Sequence, residues 1–591
     1  MAMHVHLLTC RNPDERIKKT RKMKTVKKYP LYESQKYRNV CELLEDVANR
    51  YPNDNAFSYR KNPHDVKPAR ISYPMFCDDI RALSTEMLSR GMQGKHCALI
   101  GKLSYGWVCA YFALLATGAV VVPLDKDWTE EELASTVAKA DCEFLFCDAK
   151  VAKNAEKIMA AIGTTAPILL GEGDSGEVLD DLTEAGRVKI NSGNRSYYEH
   201  EIDPSALSML VFTSGTTGSG KGVMLTQGGL MADLHAGLQL VSLSKKTIAT
   251  LPPHHTYGAN VGFVAHVAAG SEVFLSDGLR YIQKEMREER PEHLTLVPLF
   301  VETFYRKILT SAKEQGKDKL LSRMMKVSNS LRRVKIDVRR SLFQSVLATF
   351  GGKLRMIICG GAPLSQEIID TFDALGITIL NGYGITECSP LVSVNHTRQK
   401  LTNQGCVGTP LSCMQVKLCD QNADGEGEIC VKGENVMLGY YKDDQATAAA
   451  FDKDDYFHTG DLGKFDADGQ LYVTGRLKNL IILSNGKNVY PEEIENALTS
   501  VGGVLEIVVY EGQSKQGMEH NAIVAEIFPD ADYLKKYGIT DAQSYLQMAV
   551  DNYNKTAVPY KKIGILRVRT EEFPKNTLRK ILRFKIDMTI D

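Results

Sequence analysis

The chain has 591 residues, 72 Lys+Arg against 72 Asp+Glu, 43% hydrophobic and 24% charged residues, and 13 cysteines. At roughly 150 residues per domain this length supplies two to four folding units with ample core, and the cancelled charge and ordinary composition exclude a nucleic-acid coat and wholesale disorder. The cysteines are odd in number and scattered without a C-x-x-C pair, Cys142 and Cys147 being the closest; neither a disulfide framework nor a zinc site is expected, and a reducing cytoplasm is the natural home.

The opening MAMHVHLLTC lacks a long apolar run and leads into residues 11–28, with nine basic and two acidic side chains. That pattern argues against secretion and describes a solvated basic arm over 1–29, with contact to an anionic membrane as a secondary role. Val40, Leu43, Leu44, Val47, Ala48 and Tyr51 recur at helical spacing until Pro52, predicting an amphipathic core helix. Trp107–Leu124 is 18 residues without a charge, at the edge of what spans a bilayer. Because Thr117-Gly118 and Pro123 punctuate it, a buried helix, a turn and a short buried strand are expected instead.

Strand-like runs CALIG, AVVVPL, FLFCD, PILL, MLVFTS, IATLPP, LRMIICGG and ITILNGYG alternate with helical stretches to about residue 385. This is the mark of an α/β fold, helices layered on mixed or parallel sheets. Residues 306–340 hold twelve Lys/Arg against three acids; the plain reading is the wet face of a helix, and the other is a contact with phosphates, a carrier protein or a membrane. Residues 400–475 change to short strands cut by Gly and Asp turns, a small β subdomain. From Lys478 the pattern resets to strand LIILS, a turn at Asn485-Gly486, helix PEEIENAL, two strands and a basic tail helix. The expected units are the arm 1–29, a large unit 30–476 and a smaller α+β unit 477–591.

Two glycine patterns compete for a phosphate. Gly171, Gly173 and Gly176 fit G-x-G-x-x-G after PILL, but Glu172 and Asp174 would repel a pyrophosphate, so a surface turn is expected. In LVFTSGTTGSGKGV, Gly215, Gly220 and Lys221 satisfy the opening of a Walker A loop. Gly222 stands where that loop needs its magnesium-holding hydroxyl, and Gly222 to Leu225 reads as extended with a helix cap only at Thr226. The loop is therefore expected to join two strands. What remains is a run of Thr213, Ser214, Gly215, Thr216, Thr217 and Gly218, able to close hydroxyls, backbone N–H groups and the Lys221 ammonium over a polyphosphate.

This loop resembles the phosphate-binding signature of the adenylate-forming superfamily, which includes acyl-CoA synthetases, nonribosomal adenylation domains and firefly luciferase. Five further blocks follow in that family's order over roughly residues 40–585. The resemblance implies that LPPHHTYG sets His255 beside the acyl carboxylate. It implies that CGGAPL, with Gly360, Gly361 and Ala362, and NGYGITECSP, with Asn381, Gly382, Tyr383 and Gly384, form the nucleotide pocket, where Tyr383 offers adenine a flat face. Thr386 and Glu387 would meet the α-phosphate and magnesium, with Thr213 as a second metal oxygen. In YFHTGD, Asp461 would accept hydrogen bonds from the ribose diol, and Arg476 adds a donor. Lys478 falls at the family's hinge, and the tail FPKNTLRKILRFK places the family's last active-site lysine at Lys580, with Arg579 and Asn576 replacing the usual glycine and threonine. Lys575 is the other lysine near that register. The Arg-Lys pair, an Arg476–Pro491 loop one residue longer than in luciferase-like members, and the basic insert resemble the long-chain fatty acid–CoA ligases, most of all bacterial ones.

The activity so implied is an AMP-forming acid–thiol ligase. A fatty acid carboxylate attacks the α-phosphorus of ATP, and coenzyme A then displaces AMP. Lys221, Lys580, Glu387 and His255 carry the chemistry with Mg2+, and a mobile 477–591 unit exchanges Lys580 for the loop at Gly486. Tyr257, Gly258, Val261, Gly262 and Phe263 around His255 are small or apolar, which favours a medium or long hydrocarbon chain over an amino acid. The other readings are delivery to an acyl carrier protein thiol and, more remotely, a P-loop NTPase or kinase built on Lys221. The expected location is the cytoplasm, with peripheral membrane contact through the basic segments left open.

Overall fold

The computed structural model describes residues 30–590 other than 165, 174–175, 214–219, 398–402, 484–487, 500, 514–521 and 576–580. The expected basic arm therefore lies outside the described residues, as do Ser214, Gly215, Thr216, Thr217, Gly218, Gly486, Arg579 and Lys580.

The apolar run that could be mistaken for a membrane span folds as its punctuation predicts. Tyr105–Thr117 is a buried helix capped by the Ser104 hydroxyl, Gly118 closes it at φ 74° and Val120–Leu124 is a fully buried strand. Among the described residues no helix is long and apolar enough to cross a membrane. This strand lies inside an eight-stranded sheet whose neighbours are mostly parallel, from Glu177–Val178 at one edge to Gly439–Tyr440 at the other. A four-stranded sheet built on Asn55–Tyr59, Ala69–Ser72, Lys246–Ala249 and Glu272–Leu275 lies elsewhere in the fold. One large apolar core holds the helices Val40–Arg50, Tyr73–Ser89 and Tyr105–Thr117 together.

A third sheet has nine strands. His293–Leu296, Met356–Gly360 and Thr378–Gly384 run parallel. The short strands of 400–475 join this sheet antiparallel by way of Leu391–Val394 and Cys406–Pro410 and continue it to Met414–Cys419 at its edge. Chain reversals at Gly and Asp turns create the strands, and backbone donors left at the edge of the parallel strands pair with them.

Residues 481–568 carry their own core, centred on Ile481, Val489, Ile494, Leu498, Val509 and Ile527, around the sheet Val504–Glu511, Ile523–Pro529 and Ile565–Val568. The expected basic tail helix falls in part on residues 576–580, outside the described residues; beyond them Arg583–Lys585 forms a single helical turn. Lys575 pairs with Ile581 in a β-bridge, and Phe573, Ile581 and Ile586 pack on the sheet.

Candidate active site

Leu207–Thr213 runs antiparallel to Lys221–Thr226 with Thr213 opposite Lys221, and the Thr226 hydroxyl then caps the helix Gln227–Leu238. The loop thus joins two strands, as the Gly222 argument predicts. On the far side of Lys221–Thr226 the short strand Gly439–Tyr440 pairs with Tyr440 opposite Val223. This register puts the Lys221 ammonium 4.4 Å from the Tyr440 ring centre, while the Tyr440 hydroxyl donates to Glu387 Oε1 at 3.0 Å. Lys221, Tyr440 and Glu387 form one cluster at the sheet edge. Burial pushes the Glu387 carboxyl above its usual range, a cost that an added cation would offset.

The Thr386–Cys388 turn carrying Glu387 is held from behind. Asn435 Nδ2 lies 2.9 Å from both Cys388 O and Leu391 O and 3.0 Å from Asp233 Oδ1. Tyr111 donates to Asn260 Oδ1 at 2.8 Å, and Asn260 Nδ2 donates to Ser389 O at 3.0 Å. None of Tyr440, Asn435, Asp233 or Asn260 is marked in the sequence, because strand register and a buried relay bring them in.

CGGAPL and NGYG meet as neighbours at the C-terminal ends of parallel strands, Cys359 beside Asn381 and Gly360 beside Gly382, where open α/β sheets take ligands. Gly361 (φ +95°) and Ala362 continue into an exposed stretch. Asn381 is buried and turned into the scaffold, its Nδ2 3.4 Å from Cys406 O. A side chain at Gly384 would meet Pro390 O at 2.1 Å, which admits only glycine there.

The YFHTGD block closes on the same wall. Tyr383 donates to Asp461 Oδ2 at 2.7 Å and Arg476 Nε lies 2.9 Å from Asp461 Oδ1. Each carboxylate oxygen keeps a lone pair for a diol.

His255 sits at the mouth of a π-helix, Tyr257–Val264, which sequence periodicity does not reveal. Its ring centre is 4.2 Å from that of His254, whose Nε2 is 3.6 Å from Asp125 Oδ2. Burial pushes His255 down to about 3 and His254 to about 4, so both rings are neutral at pH 7. Phe263 belongs to the core instead of an acyl site, packed on Trp107, Tyr111 and Phe112. Tyr257 is pinned against Gly360, its hydroxyl donating to Leu296 O at 3.1 Å.

Lys478 is exposed in a single turn, Leu477–Asn479, next to the Arg476 strand. Lys575, the other lysine near the tail register, is engaged in ion pairs with Glu506 and Glu572.

Residues 44–441 match the model of the AMP-binding enzyme family. The chain is 30% identical to long-chain-fatty-acid–CoA ligase 5 of Rattus norvegicus over 86% of its own length and 78% of that protein. It is 28% identical to the long-chain-fatty-acid–CoA ligase FadD15 of Mycobacterium bovis, over 71% and 72%. Among solved structures, ATP-bound MatB from Rhodopseudomonas palustris superposes with a TM-score of 0.71 at 22% identity, covering 92% of this chain and 97% of MatB. The chain therefore belongs to the AMP-binding, adenylate-forming enzymes.

Proposed function

We propose that the protein is an AMP-forming ligase that joins a medium- or long-chain fatty acid to coenzyme A through an acyl-adenylate. The observation that carries this reading is that the five residues from Tyr383 to Glu387 touch two sites at once. Tyr383 holds Asp461 with Arg476, and Glu387 joins Tyr440 and Lys221. A nucleotide with its ribose at one end and its phosphates at the other fits this span.

The fatty acid carboxylate forms a bond to the α-phosphorus as the bond to pyrophosphate breaks; a thiolate then attacks the acyl carbon and AMP leaves. Charge builds on the phosphoryl oxygens in the first step, and the Lys221 ammonium beside Tyr440 is the cation that would meet it. Glu387, bonded to Tyr440, and the Thr213 hydroxyl, on the strand opposite Lys221, are the hard oxygen donors that Mg2+ takes, and a cation beside Glu387 would offset the desolvation that raises its carboxyl. Magnesium there would supply positive charge to the polyphosphate. His255, neutral, serves the acyl carboxylate as a hydrogen-bond donor and not as a cation.

The acceptor thiol is that of coenzyme A, and a carrier-protein thiol is the other acceptor the chemistry allows. Residues 30–476 act as the adenylation unit and 477–591 as the mobile one, in keeping with the separate core of 481–568. None of the described cysteines is in a disulfide, which suits a cytoplasmic site of action. The purified chain should catalyse ATP–pyrophosphate exchange that depends on an added fatty acid, and release acyl-CoA and AMP when CoA is supplied. Release of orthophosphate without exchange, over a full fatty-acid series, would overturn the reading in favour of a P-loop NTPase.

A further inference from the structure

Three adjacent strands at one edge of the nine-stranded sheet bring together a set of soft ligands that the sequence disperses. Met414–Cys419 and Gly427–Gly433 pair with Cys419 opposite Glu428 and Lys417 opposite Cys430. Gly427–Gly433 also pairs with Phe457–Phe465, with Cys430 opposite His458. Because side chains alternate along a strand, Cys419, Glu428, Cys430 and His458 all stand on one face. The two sulfurs and an imidazole nitrogen lie within 4.8 Å of one another, with both cysteines buried and His458 half-buried.

We propose that Cys419, Cys430 and His458, completed by Glu428, form a site for a thiophilic divalent cation of the zinc class, separate from the magnesium of catalysis. Metal–sulfur and metal–nitrogen bonds of about 2.3 and 2.0 Å at a tetrahedral angle set S and N about 3.5 Å apart. Cys430 Sγ and His458 Nδ1 are 3.5 Å apart. Glu428 Oε2 is already 2.7 Å from the same nitrogen, so a cation entering there takes the place of the hydrogen between them. Loading releases that proton, where present, and the two thiol protons to solvent. Lys417, opposite Cys430 on the neighbouring strand, is turned to Asp452 at 2.5 Å and lies over the Tyr456 ring, so its charge has a partner of its own. Two thiolates and an imidazole select zinc-class ions over Mg2+, which takes oxygen. No C-x-x-C spacing announces the site, because strand register and not sequence proximity assembles it.

The site reaches the nucleotide pocket by one residue. Glu428 Oε1 accepts from the Gly460 N–H at 2.9 Å, and Gly460 precedes Asp461. A cation that fixes Glu428 and His458 also fixes the strand carrying the ribose carboxylate.

The test uses the purified full chain, reduced and stripped with a chelator, titrated with Co2+ as the probe. One equivalent should produce a thiolate-to-metal charge-transfer band that Zn2+ abolishes, and Zn2+ should raise the melting temperature. Cys419→Ser/Cys430→Ser, checked for native circular dichroism, should lose the band and the thermal shift, and Glu428→Gln should weaken Co2+ binding by about 10- to 100-fold. Absence of a charge-transfer band at excess Co2+, or an equal band in the double serine variant, would overturn the proposal. Neither result depends on ligase turnover, so the site and the proposed reaction fail or stand separately.

Discussion

Glu387 illustrates what single residues can and cannot announce. Its carboxylate is legible in the sequence because it stands in a spaced block with Thr386, but its partner Tyr440 lies 53 residues away and is delivered only by pairing of two short strands. Removing that hydroxyl while keeping the ring over Lys221 isolates the hydrogen bond. Tyr440→Phe should slow acyl-dependent pyrophosphate exchange by about 10- to 100-fold, the range for losing a hydrogen bond to a charged group, and should raise the Mg2+ concentration needed for half-maximal rate. Unchanged exchange with unchanged Mg2+ dependence would make Tyr440 a packing residue. Asp233 behaves differently. It is fully enclosed, and burial pushes its carboxyl up to about 8, while Oδ1 accepts from Asn435 and from the Leu391 N–H. The folded form thus holds a proton that the unfolded chain releases near pH 4, so this group's contribution is full below that pH and is lost as pH rises towards 8, at about 1.4 kcal/mol per unit. Asp233→Asn keeps an acceptor at Oδ1 and does not titrate. Its melting temperature relative to the native chain should therefore climb from pH 5 to pH 8; a constant difference would show that Asp233 is ionised in the fold.

At the scale of elements, legibility follows local chemistry. The hairpin Leu207–Thr226, the helix–turn–strand of Trp107–Leu124 and the helix starting at Pro491 are written in glycines, caps and prolines within a few residues of each other. The π-helix at Tyr257–Val264 is not, since it depends on what packs against it. Arg332 and Arg339 of the basic insert pair with Asp373, and Arg340 donates to Leu354 O and Gly352 O, so part of that charge is spent on the fold itself. The π-helix is also where a backbone substitution is most telling. A Cβ at Gly258 would stand 2.0 Å from Pro252 O, whereas at Gly262 the nearest atom is Tyr257 O at 3.6 Å. Gly258→Ala should cost about 1–3 kcal/mol by overpacking and displace the adjacent His255, lowering both melting temperature and exchange rate. Gly262→Ala should melt as the native chain does. Equal melting of the two would mean that the Pro252 turn yields freely.

For the whole molecule the question is how two chemistries share one pocket. Between the insert helix Pro298–Glu314 and the C-terminal unit the contacts among the described residues include a 3.6 Å pair of Arg306 with Asp530, a 3.4 Å pair of Glu314 with Lys536, and Lys313 over the Tyr537 ring at 3.5 Å. Ion pairs that solvent can still reach contribute about 0–1 kcal/mol each and weaken with salt, a fastening that a moving part can break. The separate core of 481–568 would let that unit turn about Lys478 without unfolding. Lys580, outside the described residues, is the group whose arrival and departure the turn would serve. Lys575 is committed to Glu506 and Glu572, and its departure would leave the largely enclosed Glu506 carboxylate without its ammonium, so it is poorly suited to the same task. Lys580→Ala should therefore slow adenylation by about 10²- to 10³-fold, the size of one preorganised charge, while a supplied acyl-adenylate is still converted to acyl-CoA at close to the native rate. Lys575→Ala should instead lower stability of the C-terminal unit and affect both half-reactions alike. Single-turnover assays of each half-reaction separate the two lysines, and an equal fall in both steps for Lys580→Ala would mean that the tail does not change tasks between them.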